Sequence, residues 1–310
     1  MFIVYIDELL CRLRNSGYGC HVGNNFCGAF GYADDVVLLC PNVTSLNKEL
    51  DICAEYATEY NVHFNSTKSK VIVNTCRLSH HVRPPDITFM GGIIDVVSWD
   101  KHLGNPIGNI SHADIVHKCI VDFMTRVNMV KYHFYGLPVA TLYSLFKTYC
   151  MPLYGSQLWD LSDRSVDKFY VAWRKAIRYL FNLPYKTHCV LLPLVCDDCT
   201  VQCQLYKRFV QFYRSLNTSH NSIVGLCAKL VLKGSRSSVS NSLSVVCNYY
   251  NHNRYDISHV QILSTNDIND MNDVITASVI CELLNVNSKQ LYLDDSTFPT
   301  QDVLYDLCVN

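Results

Sequence analysis

The sequence predicts an α+β fold: a small antiparallel sheet with helices over residues 1–111, then helical segments to the end of the chain. Three observations carry that expectation. Short apolar runs at 27–32 and 36–40, bounded by turn residues, have the length of strands. From residue 112 the apolar side chains recur at helical spacing, over 112–135, 139–154 and 165–181, with breaks at Gly136, Pro138, Gly155 and Pro184. A hydrophobic content of 49% against 17% charged, over 310 residues, supplies a sizeable core and excludes a largely disordered chain.

In chain order, 2–13 sets Ile3, Ile6, Leu9, Leu10 and Leu13 at helical spacing. Turn residues from Asn15 to Asn25 then surround a short strand at 20–22. The run CGAFGYADDVVLLC reads as two strands joined by a tight turn at Ala33, Asp34 and Asp35, so a hairpin tip presents two carboxylates. After Pro41, residues 45–60 place Leu46, Leu50, Cys53, Ala54 and Ala57 on one helical face, with Asn42 and Thr44 as N-terminal caps. That helix is expected to pack on the hairpin's sheet. VHFNSTKSKVIVN gives a short strand, a polar turn with Lys68 and Lys70, and a β-branched strand at 71–73. Between 77 and 111, Pro84, Pro85, Gly91, Gly92, Gly104, Pro106 and Gly108 predict turns around short strands at 87–90 and 102–103. Past residue 216, GSRSSVSNSLS reads as a linker, followed by polar NYYNHNRYD and weaker helices at 277–284 and the terminus. The expected domains are therefore 1–111, 112–215 and a divergent region 216–310.

No apolar stretch approaches the ~18 residues of a membrane span, and Asp7 and Glu8 interrupt the opening run too early for a signal peptide. An unexported, intracellular protein without a membrane partner is expected. Sixteen cysteines scattered through apolar runs read as reduced, buried thiols, and the sequons at Asn42, Asn65 and Asn217 carry little without export. The net charge of −1 argues against a generally basic nucleic-acid binder, but it hides an uneven distribution. Residues 1–115 hold 8 cationic and 12 acidic side chains, 116–215 hold 13 and 6, and 216–310 hold 5 and 9. Only the middle third has a field that attracts a polyanion.

Adjacent carboxylates on a hairpin tip repel each other and are stabilised by a divalent cation, although Asp-Asp is also ordinary turn chemistry. The surrounding residues are more specific. GYADDVVLLCPN at 31–42 resembles the aromatic-X-Asp-Asp hairpin of reverse transcriptases of non-LTR (LINE-type) retrotransposons. FNSTKSKVIV at 64–73 resembles the Phe-Asn-X-X-Lys-Ser/Thr-Lys block located after the palm helix in that family, and HLGNPIG at 102–108 its Leu-Gly block at the palm–thumb junction. The opening FIVYIDELLCRLRNSGYGCHVGN is similar to the helix and strand leading into the hairpin, and LFKTYCMPLYGSQLW more weakly to the thumb.

The resemblance implies a partial polymerase palm at 1–111 and a helical thumb-like domain at 112–215. It implies RNA-directed DNA polymerase activity by two-metal nucleotidyl transfer, with magnesium, deoxynucleotides, an RNA template and a DNA primer. By the same resemblance Asp34 and Asp35 are catalytic and Asp34 is the metal ligand; Tyr32 lies near the primer end, Lys68 and Lys70 near the nucleotide phosphates, and Gly104 turns the chain towards the primer grip. One departure weighs against activity. Only 33 residues precede Asp34, whereas the family places the fingers and a first palm aspartate there, and Asp7 falls in the helix that the family carries downstream of both. Half a metal site, inactive alone, is the expectation.

Two other readings stand beside this one. In FYVAWRKAIRYLFNLPYK, Arg174, Lys175 and Arg178 alternate with Tyr170, Trp173 and Tyr179, either as a non-catalytic nucleic-acid-binding face or as a helix with an aromatic core and cationic rim. VCDDCTVQC aligns Cys196, Cys199 and Cys203 near His188 and Cys189, either as zinc ligands of an interaction domain or as the core face of one helix leading to Leu205 and Phe209. His80, His81, His112 and His117 show no ligand spacing.

Overall fold

A computed structural model describes residues 2–74, 86–196 and 198–250. The predicted features at Pro84, Pro85, His80, His81 and beyond 250 lie outside the described residues. The chain is a mixed α+β protein whose described residues divide into two compact units, the first comprising those up to 110 with 221–223, the second those of 111–220 with 224–250.

The first unit opens with helix α1 (Phe2–Asn15), whose Ile6, Leu9 and Leu13 are buried as their spacing predicts. Two small hairpins come next: β1 (His21–Val22) with β2 (Asn25–Phe26), and β3 (Ala29–Tyr32) with β4 (Asp35–Leu38). Helix α2 (Val43–Tyr60) starts at Asn42, whose side chain accepts from Ser45 N–H at 2.8 Å, and ends at Asn61 in the left-handed conformation. It buries Glu49, Leu50, Cys53, Tyr56 and Ala57. It packs mainly on α1 and strand β6 (Ile87–Phe89), and Ala29 and Leu38 of the β3–β4 hairpin, which itself rests on α1, join the same core as Leu50 and Cys53 of α2. Arg12 clamps the helix pair, bonding Glu8 on α1 and Glu59 on α2 and lying over the Tyr56 and Tyr60 rings. The Tyr60 hydroxyl and Arg12 hold the Glu8 carboxyl below its ordinary range.

The expected single antiparallel sheet is not what forms. Strand β5 (Lys70–Ile72) pairs parallel with β7 (Gly92–Val97), which pairs antiparallel with β6, giving the order β5-β7-β6. Strands β8 (Trp99–His102) and β9 (Asn105–Gly108) make a separate hairpin. No strand forms at 62–64, because Val62 N–H closes back onto the Ala57 carbonyl as α2 terminates; Phe64 packs on Phe89 from a loop. The turns Met90–Gly91 and Leu103–Gly104 each place two residues at positive φ, the two-residue geometry whose twist suits a hairpin.

The second unit is helical. Helices α3 (His112–His133) and α5 (Ser165–Leu180) run side by side in the same direction: the His112 ring bonds Ser165 Oγ at one end, and Lys131 Nζ donates to the Leu180 carbonyl at the other. Helix α4 (Val139–Tyr149) and the one-turn 3₁₀ helix Ser156–Leu158 lie between them in sequence. Phe123, Phe146, Phe169 and Trp173 form the centre, with Phe169 5.3 Å from Phe123 and 5.5 Å from Trp159.

Helices α6 (Leu191–Cys196), α7 (Val201–Asn217), α8 (Ser222–Leu232) and α9 (Ser238–Tyr249) complete the described unit. Helix α7 runs through the expected boundary at 215. The serine-rich stretch is not a linker either, for Ser237 caps α9, and Leu243, Val246 and Cys247 enter the same core. Ser242, fully buried, donates to the Trp159 carbonyl at 2.8 Å and accepts from Leu161 N–H at 2.9 Å. Its hydroxyl is a structural bolt.

Candidate functional site

The Asp-Asp hairpin is built by register. Tyr32 pairs with Asp35, leaving Ala33 and Asp34 as a two-residue turn in which Ala33 takes φ 52°. Asp34 therefore stands at the tip and Asp35 opens strand β4, both exposed, with Tyr32 exposed beside them. The hairpin's other face is pinned, since a Cβ at Gly31 would approach Ile6 Cγ2 to 3.1 Å. Asp7 lines a shallow depression with Ile6, Leu10, Gly31 and Ala33 next to the tip. Even so, no three His, Cys, Asp or Glu side chains among the described residues gather as a group able to hold a metal. Two sequential carboxylates on an open turn do not fit a two-metal centre, which needs carboxylates converging from separate elements.

The Lys68 turn is organised by Asn65, whose Oδ1 accepts from Thr67 N–H, Thr67 Oγ1 and Lys68 N–H. It lies close against β7, where a Cβ on Gly92 would meet Ser66 Oγ. Lys68 is left exposed. Lys70 is not free in the same way, because its ammonium pairs with Asp95, its register partner on β7. Gly104 occupies the second position of the β8–β9 turn at φ 78°, where any side chain is strained.

On α5 the predicted alternation of bases and aromatics separates into two faces. Trp173 is buried and Tyr170 half-buried against the core, so neither is a stacking platform. Arg178 is engaged internally, its guanidinium donating twice to the Thr187 carbonyl, at 2.8 and 3.2 Å, and to Cys189 Sγ. Lys175 and Tyr179 are exposed and Arg174 is half-exposed.

Cys196 and Cys203 are buried but do not share a helix: α6 ends at Cys196, and Thr200 caps the start of α7. Burial pushes the Cys196 thiol far up. Cys199 and Cys203 are hydrogen-bonded to each other, which raises the Cys199 pKa and lowers that of Cys203. The described cysteines form no disulfide with one another, and only Cys11, Cys189 and Cys227 among them are exposed; desolvation pushes Cys53 up to about 12 and Cys150 up to about 11.

Several constellations gave no signal in the sequence. Glu49 is fully buried; its Oε2 accepts from Cys40 Sγ at 2.8 Å and its Oε1 has no partner, so burial raises its pKa. Asp198 joins Lys147 and the Tyr143 hydroxyl. His112 bonds Ser165 and lies 3.6 Å from Asp163, the residue types of a nucleophilic triad. The orientation is wrong for that chemistry. Nε2 accepts from Asp160 N–H, so the neutral ring carries its proton on Nδ1 facing Ser165 Oγ and cannot take the serine's proton.

No helix among the described residues is long and apolar enough to cross a membrane. No protein-family model matches the chain, and no curated protein matches it.

Proposed function

We propose that this chain is the palm-and-thumb portion of a LINE-type reverse transcriptase, and that the 310-residue polypeptide binds nucleic acid without polymerising. The observation that supports it best is the two-residue hairpin presenting Asp34 with Tyr32 exposed beside it. Behind it in the chain come a capped helix, an Asn65-organised turn exposing Lys68, and a Leu103–Gly104 hairpin, matching the order of the three blocks that carry the resemblance. Magnesium belongs to this reading through the resemblance alone. Arg174, Lys175 and Lys186, rather than Arg178, are the cations of 169–186 available to phosphates.

The test is paired. The chain is incubated with a labelled DNA primer on an RNA template, deoxynucleotides and Mg²⁺, and its binding to the same hybrid is followed by anisotropy over a salt series. Binding that weakens steeply with salt, survives Asp34→Ala and is accompanied by no extension is expected. Extension abolished by Asp34→Ala would overturn the non-catalytic part, and absence of binding at low salt would overturn the whole.

A further inference from the structure

We propose that the tyrosine-rich surface at the C-terminal ends of α3 and α5 is a stacking surface for single-stranded nucleic acid. The proposal rests on the reading that the second unit meets nucleic acid, and it assigns the place and the strandedness.

Because α3 and α5 run in the same direction, both helices deliver their last turns to one end of the unit. Tyr132 is 82% exposed, Tyr135 77% and, in the loop after α5, Tyr185 84%, while Tyr179 is half exposed. Rings this open contribute little to the core. Tyr135 and Tyr179 are held together by one cation, the Lys131 ammonium, which lies 5.7 Å from each ring centroid.

Charge selects the occupant. Residues 123–159 and 168–196 contain eight Lys or Arg and no Asp or Glu, and of the eight Lys147 is paired with Asp198 beyond them. Helix C-termini ordinarily repel anions, but here the Lys131 ammonium covers the Leu180 carbonyl at the end of α5. Lys175 stands one turn before Tyr179 on the same face, and Lys186 comes directly after Tyr185, both exposed. Open aromatic rings beside unopposed cations suit a chain of phosphates with accessible base faces. A duplex buries those faces in its own stack, so a single strand fits better.

The experiment uses the full chain and fluorescein-labelled 15-nucleotide strands of DNA and of RNA, with the blunt hybrid of the same sequence in parallel. Tyr132→Ala and Tyr185→Ala should each weaken single-strand binding about fivefold or more, Tyr132→Phe should bind as the parent does, and hybrid affinity should hold. Circular dichroism melts check that the variants fold. Single-strand affinity unchanged in both alanine variants overturns the proposal, as does equal loss for strand and hybrid. Hybrid binding without single-strand binding sinks this proposal while leaving the functional reading intact; binding of neither sinks both. If instead the wild type self-associates by sedimentation, the alanine variants are monomeric and no strand binds, the face is a protein contact and the proposal fails.

Discussion

Removing one hydroxyl, at Ser242, should unsettle the second unit more than its surface neighbours suggest. Ser242→Ala leaves the Trp159 carbonyl and the Leu161 N–H without their shared partner in a fully buried position. Each stranded buried group costs about 1–3 kcal/mol, and alanine returns a few tenths through helix propensity, so a net loss of about 2–4 kcal/mol is expected. The assay is urea unfolding monitored by tryptophan fluorescence in a Trp99→Phe background. The two remaining tryptophans, Trp159 and Trp173, are both buried in the second unit and report it alone. The midpoint should fall with the slope unchanged. Ser238→Ala, exposed on the same helix, should lie within about 0.5 kcal/mol of the parent. If Ser242→Ala behaves like Ser238→Ala, the bolt is irrelevant and 234–244 acts as the linker its composition suggests.

Other perturbations are equally direct. Asn42→Ala removes the cap of α2 and should cost about 1 kcal/mol in the first unit, read by chemical denaturation. Asn65→Ala dissolves the turn that presents Lys68; amide exchange at Thr67 and Lys68 should quicken while α2 is unaffected. Met90→Asn should stabilise by about 0.5–1 kcal/mol, since Met90 holds φ 51° at a hairpin position that asparagine tolerates, and the thermal melt should shift upward accordingly.

The helices were legible because burial matches their spacing: Ile6, Leu9 and Leu13 on α1, and Leu50, Cys53 and Ala57 on α2, face inward as periodicity requires. The Asp34 hairpin was legible because a two-residue turn is local. Sheet partners were not, since the parallel pairing of Lys70 with Asp95 joins residues 25 apart and no pattern within either segment announces it. Pro106 read as a loop signal, yet it occupies β9 of a two-stranded ribbon, where an edge position spares its missing N–H. Serine content suggested flexibility at 234–244 because composition is blind to partners; Ser237, Ser240 and Ser242 are tied into caps and buried bonds. On α5 spacing left two readings open, a binding face or an aromatic core with a cationic rim, and the packed structure decides between them, with Trp173 buried and Arg178 spent on the Thr187 carbonyl.

Two carboxylates, Glu49 and Asp163, shift in opposite directions, so acid should act oppositely on their two contributions. Glu49 in the first unit is raised by burial, so its protonated form is the one the fold accommodates. Its contribution is fully present below the unfolded carboxyl pKa and is lost as pH rises through the folded value. Asp163 in the second unit is lowered by its hydrogen bonds to Ser165, with His112 adding to the effect. Its contribution is present above the unfolded value and is lost as pH falls through the folded one. Glu49→Gln should therefore outperform the parent near pH 8 and converge with it in acid, read through Trp99 in a chain whose Trp159 and Trp173 are replaced by phenylalanine. Asp163→Asn should fall below the parent at pH 7 and converge with it in acid, read through Trp159 and Trp173. Parallel curves, with both variants offset equally at every pH, would mean that neither carboxylate changes its proton affinity on folding, and the buried Glu49–Cys40 contact would then have to be solvated rather than closed.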